Sequence, residues 1–80
     1  MGSAPIVKPT NSTARIAAIL HERMHEMGVG QVDLAERIGS NQSSVQRWIA
    51  GTRSIPLEHF LAACKALGLD PGEVIRKADG

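Results

Sequence analysis

The segment from Gln42 to Ala50 contains closely spaced side chains that can form directional hydrogen bonds. Val45, Trp48 and Ile49 are three and four residues apart, so they form one apolar side of a helix. The side chains that point away from them are Ser43, Gln46, Arg47 and Ala50, and Gln42 projects from the start of the helix. In the major groove of DNA, glutamine can pair with adenine and arginine with guanine. This outward face therefore has the composition that a DNA-reading helix needs, although an ordinary solvated helix face can have it too.

A second candidate for chemistry is the string His21-Glu22-Arg23-Met24-His25, which matches the H-E-x-x-H motif of zinc proteases. The longer form of that motif needs a third histidine, and Gln31 occupies its position. On a helical wheel the two histidines project roughly 120–160° away from the apolar side. A protease cleft also needs a second lobe, for which 80 residues leave no room. We therefore expect two solvated histidines that bind zinc or nickel only adventitiously, and no enzyme.

Short helices separated by glycine-containing turns must position these residues. Helix 2 is predicted over about Gln31–Ile38 and helix 3 over about Gln42–Ala50. Gly39 ends helix 2, because glycine adopts the left-handed conformation without steric cost. Ser40 or Asn41 can then cap helix 3 through a side-chain oxygen. Two helices joined in this way are typical of a helix-turn-helix.

Further helices are predicted on both sides of this pair. Helix 1 begins at Ser12 or Thr13 and ends at about Met27. Its apolar stripe consists of Ile16, Ile19, Leu20, Met24 and Met27. Helix 4 has Ser54 as its expected cap and Pro56 in its first turn. Its apolar stripe consists of Leu57, Phe60, Leu61, Cys64 and Leu67.

Helix 5 is the last predicted element. Asp70 caps it, Pro71 takes its first position, and Val74 and Ile75 face the core. The chain is expected to fray after Lys77. The predicted organisation is a flexible N-terminal arm over residues 1–11, one all-α domain over residues 12–78, and a tail over residues 79–80.

Composition allows one small helical domain of 80 residues, 42% of them hydrophobic. The net charge is only +1, which counts mildly against a nucleic-acid binder. The distribution of charge is more informative, because residues 37–57 contain no Asp or Glu but include Arg37, Arg47 and Arg53. A locally positive face is therefore available on a nearly neutral domain.

Cys64 is the only cysteine, so no intramolecular disulfide can form. This fits a reducing compartment, and neither a signal peptide nor a membrane-spanning run is visible. We expect a cytoplasmic protein that needs no cofactor and does not bind a membrane. Cys64 is expected to be an inert core residue, and His59 to lie on the exposed side of helix 4 without a role.

The stretch QVDLAERIGSNQSSVQRWIAGTR, from Gln31 to Arg53, resembles the Cro and phage-repressor helix-turn-helix family. Four residues meet the family spacing in register: Ala35, Gly39, Val45 and Trp48. The later string PLEHFLAACKALGLDPGEV also matches, so the resemblance covers about residues 12–78. One departure is Ser40, where the family prefers an apolar residue, and another is the Ile49-Ala50 pair, where relatives often have Glu-Asn. The resemblance implies a compact five-helix, lambda-repressor-like DNA-binding domain with helices 2 and 3 as its helix-turn-helix.

The same resemblance implies which residues contact double-stranded DNA. Base contacts are placed at Gln42, Ser43, Gln46 and Arg47. The resemblance also makes Gln31 a phosphate contact, and further candidates for phosphate contact are Asn41, Thr52 and Arg53. Arg37 could also contact a phosphate or could pair with Asp33 one turn away, and the sequence leaves both possibilities open.

The function predicted from these features is that of a phage or bacterial transcriptional regulator, a repressor that binds a palindromic operator as a homodimer. A protein-interaction module or an antitoxin on the same fold is the alternative, because fold does not fix function. Acidic residues at the start of helix 3 would have favoured that alternative, and none is present. A zinc hydrolase built on His21, Glu22 and His25 is the least favoured hypothesis.

Overall fold

Glycine and proline residues mark the ends of the helices close to the predicted positions. The computed structural model describes residues 11–79. These residues form five helices and no strand: α1 (Asn11–Met27), α2 (Gln31–Ile38), α3 (Gln42–Ala50), α4 (Leu57–Ala66) and α5 (Pro71–Asp79). The all-α, five-helix prediction is therefore confirmed. The predicted N-terminal arm lies outside the described residues, apart from the first residue of α1.

The turn between α2 and α3 is determined by Gly39, whose φ of 72° and ψ of 33° lie in the left-handed region. In this conformation the chain reverses so that the N–H of Ser40 donates to the carbonyl oxygen of Ala35 at 2.9 Å. A Cβ atom at position 39 would meet no neighbouring atom within 4 Å, so the backbone conformation alone favours glycine there. The left-handed conformation of Gly39 thus ends α2 and lets the chain turn toward α3.

Apolar side chains from all five helices form the core, in which α1 packs against α3 and α5 while α2 packs against α3 and α4. Ala35 is only 3% exposed, as expected where α2 and α3 approach closely. The largest fully buried side chains are Leu20, Leu34, Val45, Cys64, Leu67 and Val74. No polar or charged residue within residues 12–79 is buried. α3 therefore packs between α1 and α2 through buried apolar side chains.

Two predicted helix caps are wrong, and one hydrogen bond links the residues involved. α1 begins before both Ser12 and Thr13, so these residues lie inside its first turn. α4 has Pro56 at its cap position and no side-chain cap bond. The hydroxyl oxygens of Thr13 and Ser54 instead lie 3.1 Å apart. They connect the start of α1 to the loop that follows α3.

The predicted apolar stripes are also wrong in part. Leu57 is 67% exposed, Leu61 45%, Ile75 47% and Met27 40%. The buried side of α4 includes Ala63, which the predicted stripe omitted. A helix with apolar residues on several sides offers more than one stripe, and its neighbours determine which one is buried. For α4 those neighbours are α2 and α5.

α5 extends beyond Lys77, where fraying was expected, and includes Asp79, the last described residue. Nη1 of Arg15 in α1 donates to the carbonyl oxygen of Ala78 at 3.1 Å, and Ala78 is buried. These contacts hold the last turn in place. At the other end, Asp70 caps the helix as predicted, because its Oδ2 accepts the N–H of Glu73 at 3.3 Å. Across residues 11–79, no helix is both long and apolar enough to cross a membrane.

Candidate nucleic-acid interface

α3 is capped at both ends by groups from adjacent residues. At its start, Oδ1 of Asn41 accepts the N–H of Ser44 at 2.9 Å, so Asn41 rather than Ser40 is the side-chain cap. At its end, Gly51 has a φ of 76°, and the N–H of Thr52 donates to the carbonyl oxygen of Arg47 at 3.1 Å. These bonds satisfy terminal backbone groups that a helix leaves unpaired. The outward side chains of α3 therefore extend from a well-defined backbone.

The inner and outer sides of α3 are those predicted. Val45 is fully buried, while Trp48 and Ile49 are 7% and 8% exposed. The exposed side chains are Gln42, Ser43, Gln46, Arg47 and Ala50. We call these five residues the reading face. The structure therefore brings all four predicted base contacts together on one exposed side of a short helix.

The predicted phosphate contacts lie at the start of α2, in the turn before α3 and in the loop after it. Gln31 begins α2, and Gly30 at the cap position makes no side-chain bond, so the first N–H groups of α2 remain available to an anion. Asn41 uses only its oxygen in capping α3 and retains its amide N–H groups as donors. The hydroxyl of Thr52 donates to the carbonyl oxygen of Arg47 at 3.2 Å, so its only proton is already engaged.

Positive charge in this region is not balanced by nearby acids. Arg53, the fourth predicted phosphate contact, is exposed in the loop after α3. Neither Arg47 nor Arg53 takes part in any ion pair of the described residues. Arg37 differs from them, because its Nε donates to Oδ1 of Asp33 at 3.1 Å. The ion-pair alternative for Arg37 is therefore the one formed in the free protein.

A concave surface, which we call the basic groove, lies between α3 and α4. The polar and charged side chains that line it are Ser40, Asn41, Ser44, Arg47, Arg53 and His59, together with Ser54. The expectation that His59 lies on the exposed side of α4 is wrong. Its side chain is partly buried, and its ring centroid is 5.1 Å from that of Trp48 at an interplanar angle of 32°. Sequence reasoning missed this residue because no periodicity relates it to α3.

A family model described as a Cro/C1-type HTH DNA-binding domain matches residues 19–77. The chain belongs to this family. Membership in the Cro/C1-type family supports the prediction of a DNA-binding transcriptional regulator and confirms the predicted resemblance. No curated protein sequence matches the chain.

Solved structures of two other regulators have the same fold as this Cro/C1-type domain. The clp gene regulator ClgR from Corynebacterium glutamicum has a TM-score of 0.78 and 23% identity, with 91% of this chain and 77% of that chain covered. A second structure of ClgR has a TM-score of 0.76 and 22% identity, with 96% of this chain and 94% of that chain covered. The restriction-modification controller protein C.AhdI from Aeromonas hydrophila has a TM-score of 0.72 and 27% identity, with 79% of this chain and 91% of that chain covered.

The family model describes a DNA-binding domain, and the two neighbouring proteins are described as a gene regulator and a controller protein. His21 and His25 are both exposed on α1, and no group of three or more metal-ligand side chains converges within residues 11–79. Cys64 is buried, and its burial together with the negative charge of Asp70 raises the pKa of its thiol to about 11. A thiol with such a pKa is protonated at neutral pH and is a poor nucleophile.

Proposed function

We propose that this Cro/C1-type protein is a sequence-specific transcriptional regulator that inserts α3 into the major groove of double-stranded DNA. The observation that supports this most directly is the reading face itself. Its residues are exposed, contain no acid and extend from a helix that is capped at both ends. The helix lies in a stretch without Asp or Glu, so the negative phosphates of DNA can approach it without like-charge repulsion.

Each polar residue of the reading face has a chemistry that suits base edges. The guanidinium of Arg47 can donate two hydrogen bonds to O6 and N7 of guanine. Gln42 and Gln46 can each donate to N7 and accept from N6 of adenine, and Ser43 can bond to several edges. Because Ala50 is small, it leaves room for the DNA backbone at the end of the helix. Each well-formed bidentate pair contributes about 1–3 kcal/mol of discrimination between bases.

Phosphate contacts would fix the orientation of α3 in the groove without reading sequence. Gln31 and the free N–H groups at the start of α2 are suited to one phosphate, and the amide of Asn41 to another. Arg53 can neutralise a third phosphate, since no acid pairs with it in the free protein. Thr52 can donate to a phosphate only by releasing the carbonyl oxygen of Arg47, so we expect it to contribute least.

We further propose that the protein binds a palindromic operator as a homodimer and represses by occupancy. One α3 spans only a few base pairs, so two copies on half-sites about 34 Å apart are needed for useful specificity. ClgR is described as a gene regulator and C.AhdI as a controller protein. The role that we transfer to this chain is regulation of transcription.

Selection of bound sequences from a random duplex library tests the proposal. The wild-type protein should enrich a two-fold symmetric site containing a guanine at a fixed position. Arg47→Ala should lose that preference at a cost of about 1–3 kcal/mol, because it removes the bidentate donor. The spacing of the two half-sites measures the geometry of the dimer.

Arg76→Ala is the matched control, because it removes an exposed arginine from α5, away from the reading face. This variant should enrich the same site as the wild-type protein. The proposal fails if the wild-type protein enriches no sequence even at low salt, where attraction to phosphate is strongest. Equal loss of the guanine preference in both variants would show that α3 is not the reader.

A further inference from the structure

The basic groove carries two positive charges with no negative charge opposite them. The charged groups that face it are Arg47 from α3 and Arg53 from the following loop. The turn after α2 contributes no charge to its lining, and Glu58, next to His59 in α4, does not line it. Because neither arginine forms an ion pair within the described residues, the groove is suited to an anion.

His59 forms part of the lining of this groove and is held in a defined position. Its ring packs against the indole of Trp48, which is itself a core residue with 7% exposure. The Nδ1 atom of His59 is buried and has no hydrogen-bond partner within the described residues. Because this atom is shielded from solvent, only the other ring nitrogen, Nε2, could contact a ligand in the groove.

We propose that the basic groove binds a phosphodiester group of the DNA backbone, and that His59 joins Arg53 in holding it, more strongly when its imidazole is protonated. The inference rests on the proposed DNA binding and adds His59, a residue to which neither the sequence nor the family resemblance gave a role, to the phosphate contacts. A phosphate oxygen only accepts hydrogen bonds. It therefore complements a groove whose charged groups are all donors.

The proton matters because it changes what His59 can offer. A neutral imidazole has one N–H donor, whereas an imidazolium has two and a positive charge. A phosphate in the groove supplies both an acceptor and the opposite charge, which favours the protonated form. Histidine is the side chain whose charge ordinarily changes between pH 5 and 8. DNA affinity should therefore rise as the pH falls through this range.

The chain contains three histidines, His21, His25 and His59, so the origin of any pH effect can be assigned by substitution. The experiment measures the affinity of the full chain for a 24-base-pair random-sequence duplex by fluorescence anisotropy at pH 5.5 and pH 7.5. Ionic strength is held equal, and phosphate buffer is avoided. A random duplex is suitable because backbone contacts do not depend on sequence. His59→Gln keeps an N–H donor but cannot gain a proton.

The wild-type protein should bind about tenfold more tightly at pH 5.5, the size expected for a hydrogen bond that becomes charged. The control, His21→Gln combined with His25→Gln, should retain this ratio, because His59 is then the only histidine. In His59→Gln the ratio should fall to about one. The slope of log affinity against log salt should also steepen at pH 5.5 by about 0.9, but only where His59 is present.

A pH ratio that survives in His59→Gln, or that disappears in the double variant, overturns the inference while leaving DNA binding intact. Absence of binding by the wild-type protein at both pH values refutes the proposed function instead. If His59→Gln does not fold, NMR spectra of the wild-type protein test the inference instead. The ring-proton resonances of His59 should shift when the duplex binds, by more at pH 5.5 than at pH 7.5, and unchanged resonances overturn the inference.

Discussion

The helix-turn-helix unit, residues 31–50, and the pair formed by α4 and α5 differ in how clearly their sequences separate inner from outer residues. In the first region, the apolar residues of α2 are buried except Val32, which is 52% exposed, and the whole predicted apolar side of α3 is buried. The buried residues are Leu34, Ala35, Ile38, Val45, Trp48 and Ile49. In the second region, Leu57, Leu61 and Ile75 were assigned to the core and are exposed. Both regions consist of short helices in the same small domain.

The difference arises from the composition of the outer sides. The outer side of α3 has no large apolar residue, so only one orientation of that helix can bury an apolar stripe. α4 has leucines on the side that it exposes, and its orientation is determined by contacts with α2 and α5. A helix with no large apolar residue on its outer side is therefore oriented by its own sequence. In this protein it is also the helix suited to bind DNA.

Substitutions within α4 and just after it test this comparison with the largest expected effect. Leu67 is completely buried, so Leu67→Ala should lower the free energy of unfolding by about 2–5 kcal/mol through lost burial and a cavity. Leu61 is 45% exposed, so Leu61→Ala should change the free energy of unfolding by less than about 0.5 kcal/mol. Urea unfolding followed by circular dichroism measures both. Similar losses in the two variants would mean that the exposed side of α4 is buried in solution, for example between two copies.

Much of the fold could be predicted because local signals agree with one another. Gly39 and Gly51 end their helices in the left-handed conformation that glycine favours. The same agreement oriented α3 correctly, so the four residues Gln42, Ser43, Gln46 and Arg47 share one exposed surface as predicted. Contact of these residues with DNA remains a prediction, because exposure is necessary for it but not sufficient.

The remainder could not be predicted because it depends on contacts between distant parts of the chain. Thr13 and Ser54 are 41 residues apart, and no local rule favours their hydrogen bond over two separate helix caps. The contact between Trp48 and His59 likewise joins two helices with different orientations. His59 could be placed beside α3 only once the packing of α4 was known.

The helix caps provide a second comparison of the two regions, with an intermediate expected effect. Asn41→Ala removes the side-chain oxygen that accepts the N–H of Ser44, so unfolding should become easier by about 1 kcal/mol. Ser54→Ala removes only an exposed contact with Thr13, and its effect should be below about 0.5 kcal/mol. Thermal unfolding of the two variants in the same buffer measures the difference between their losses of stability. An equal loss would indicate that the loop after α3 supports the fold as strongly as the cap does.

Two exposed ion pairs give the smallest expected effect and test whether α2 differs from α5 in function. Arg37 pairs with Asp33 at 3.1 Å in α2, and Arg76 pairs with Glu73 at 3.1 Å in α5. Replacing either arginine with alanine should cost only about 0.2–0.5 kcal/mol of stability, because water and salt screen exposed pairs. The salt dependence of DNA affinity distinguishes the two arginines. If the ion pair is the only role of Arg37, both variants bind with the wild-type salt dependence. If Arg37 leaves Asp33 for a phosphate, Arg37→Ala alone lowers the salt slope by about 1, and the DNA-contacting surface then extends onto α2.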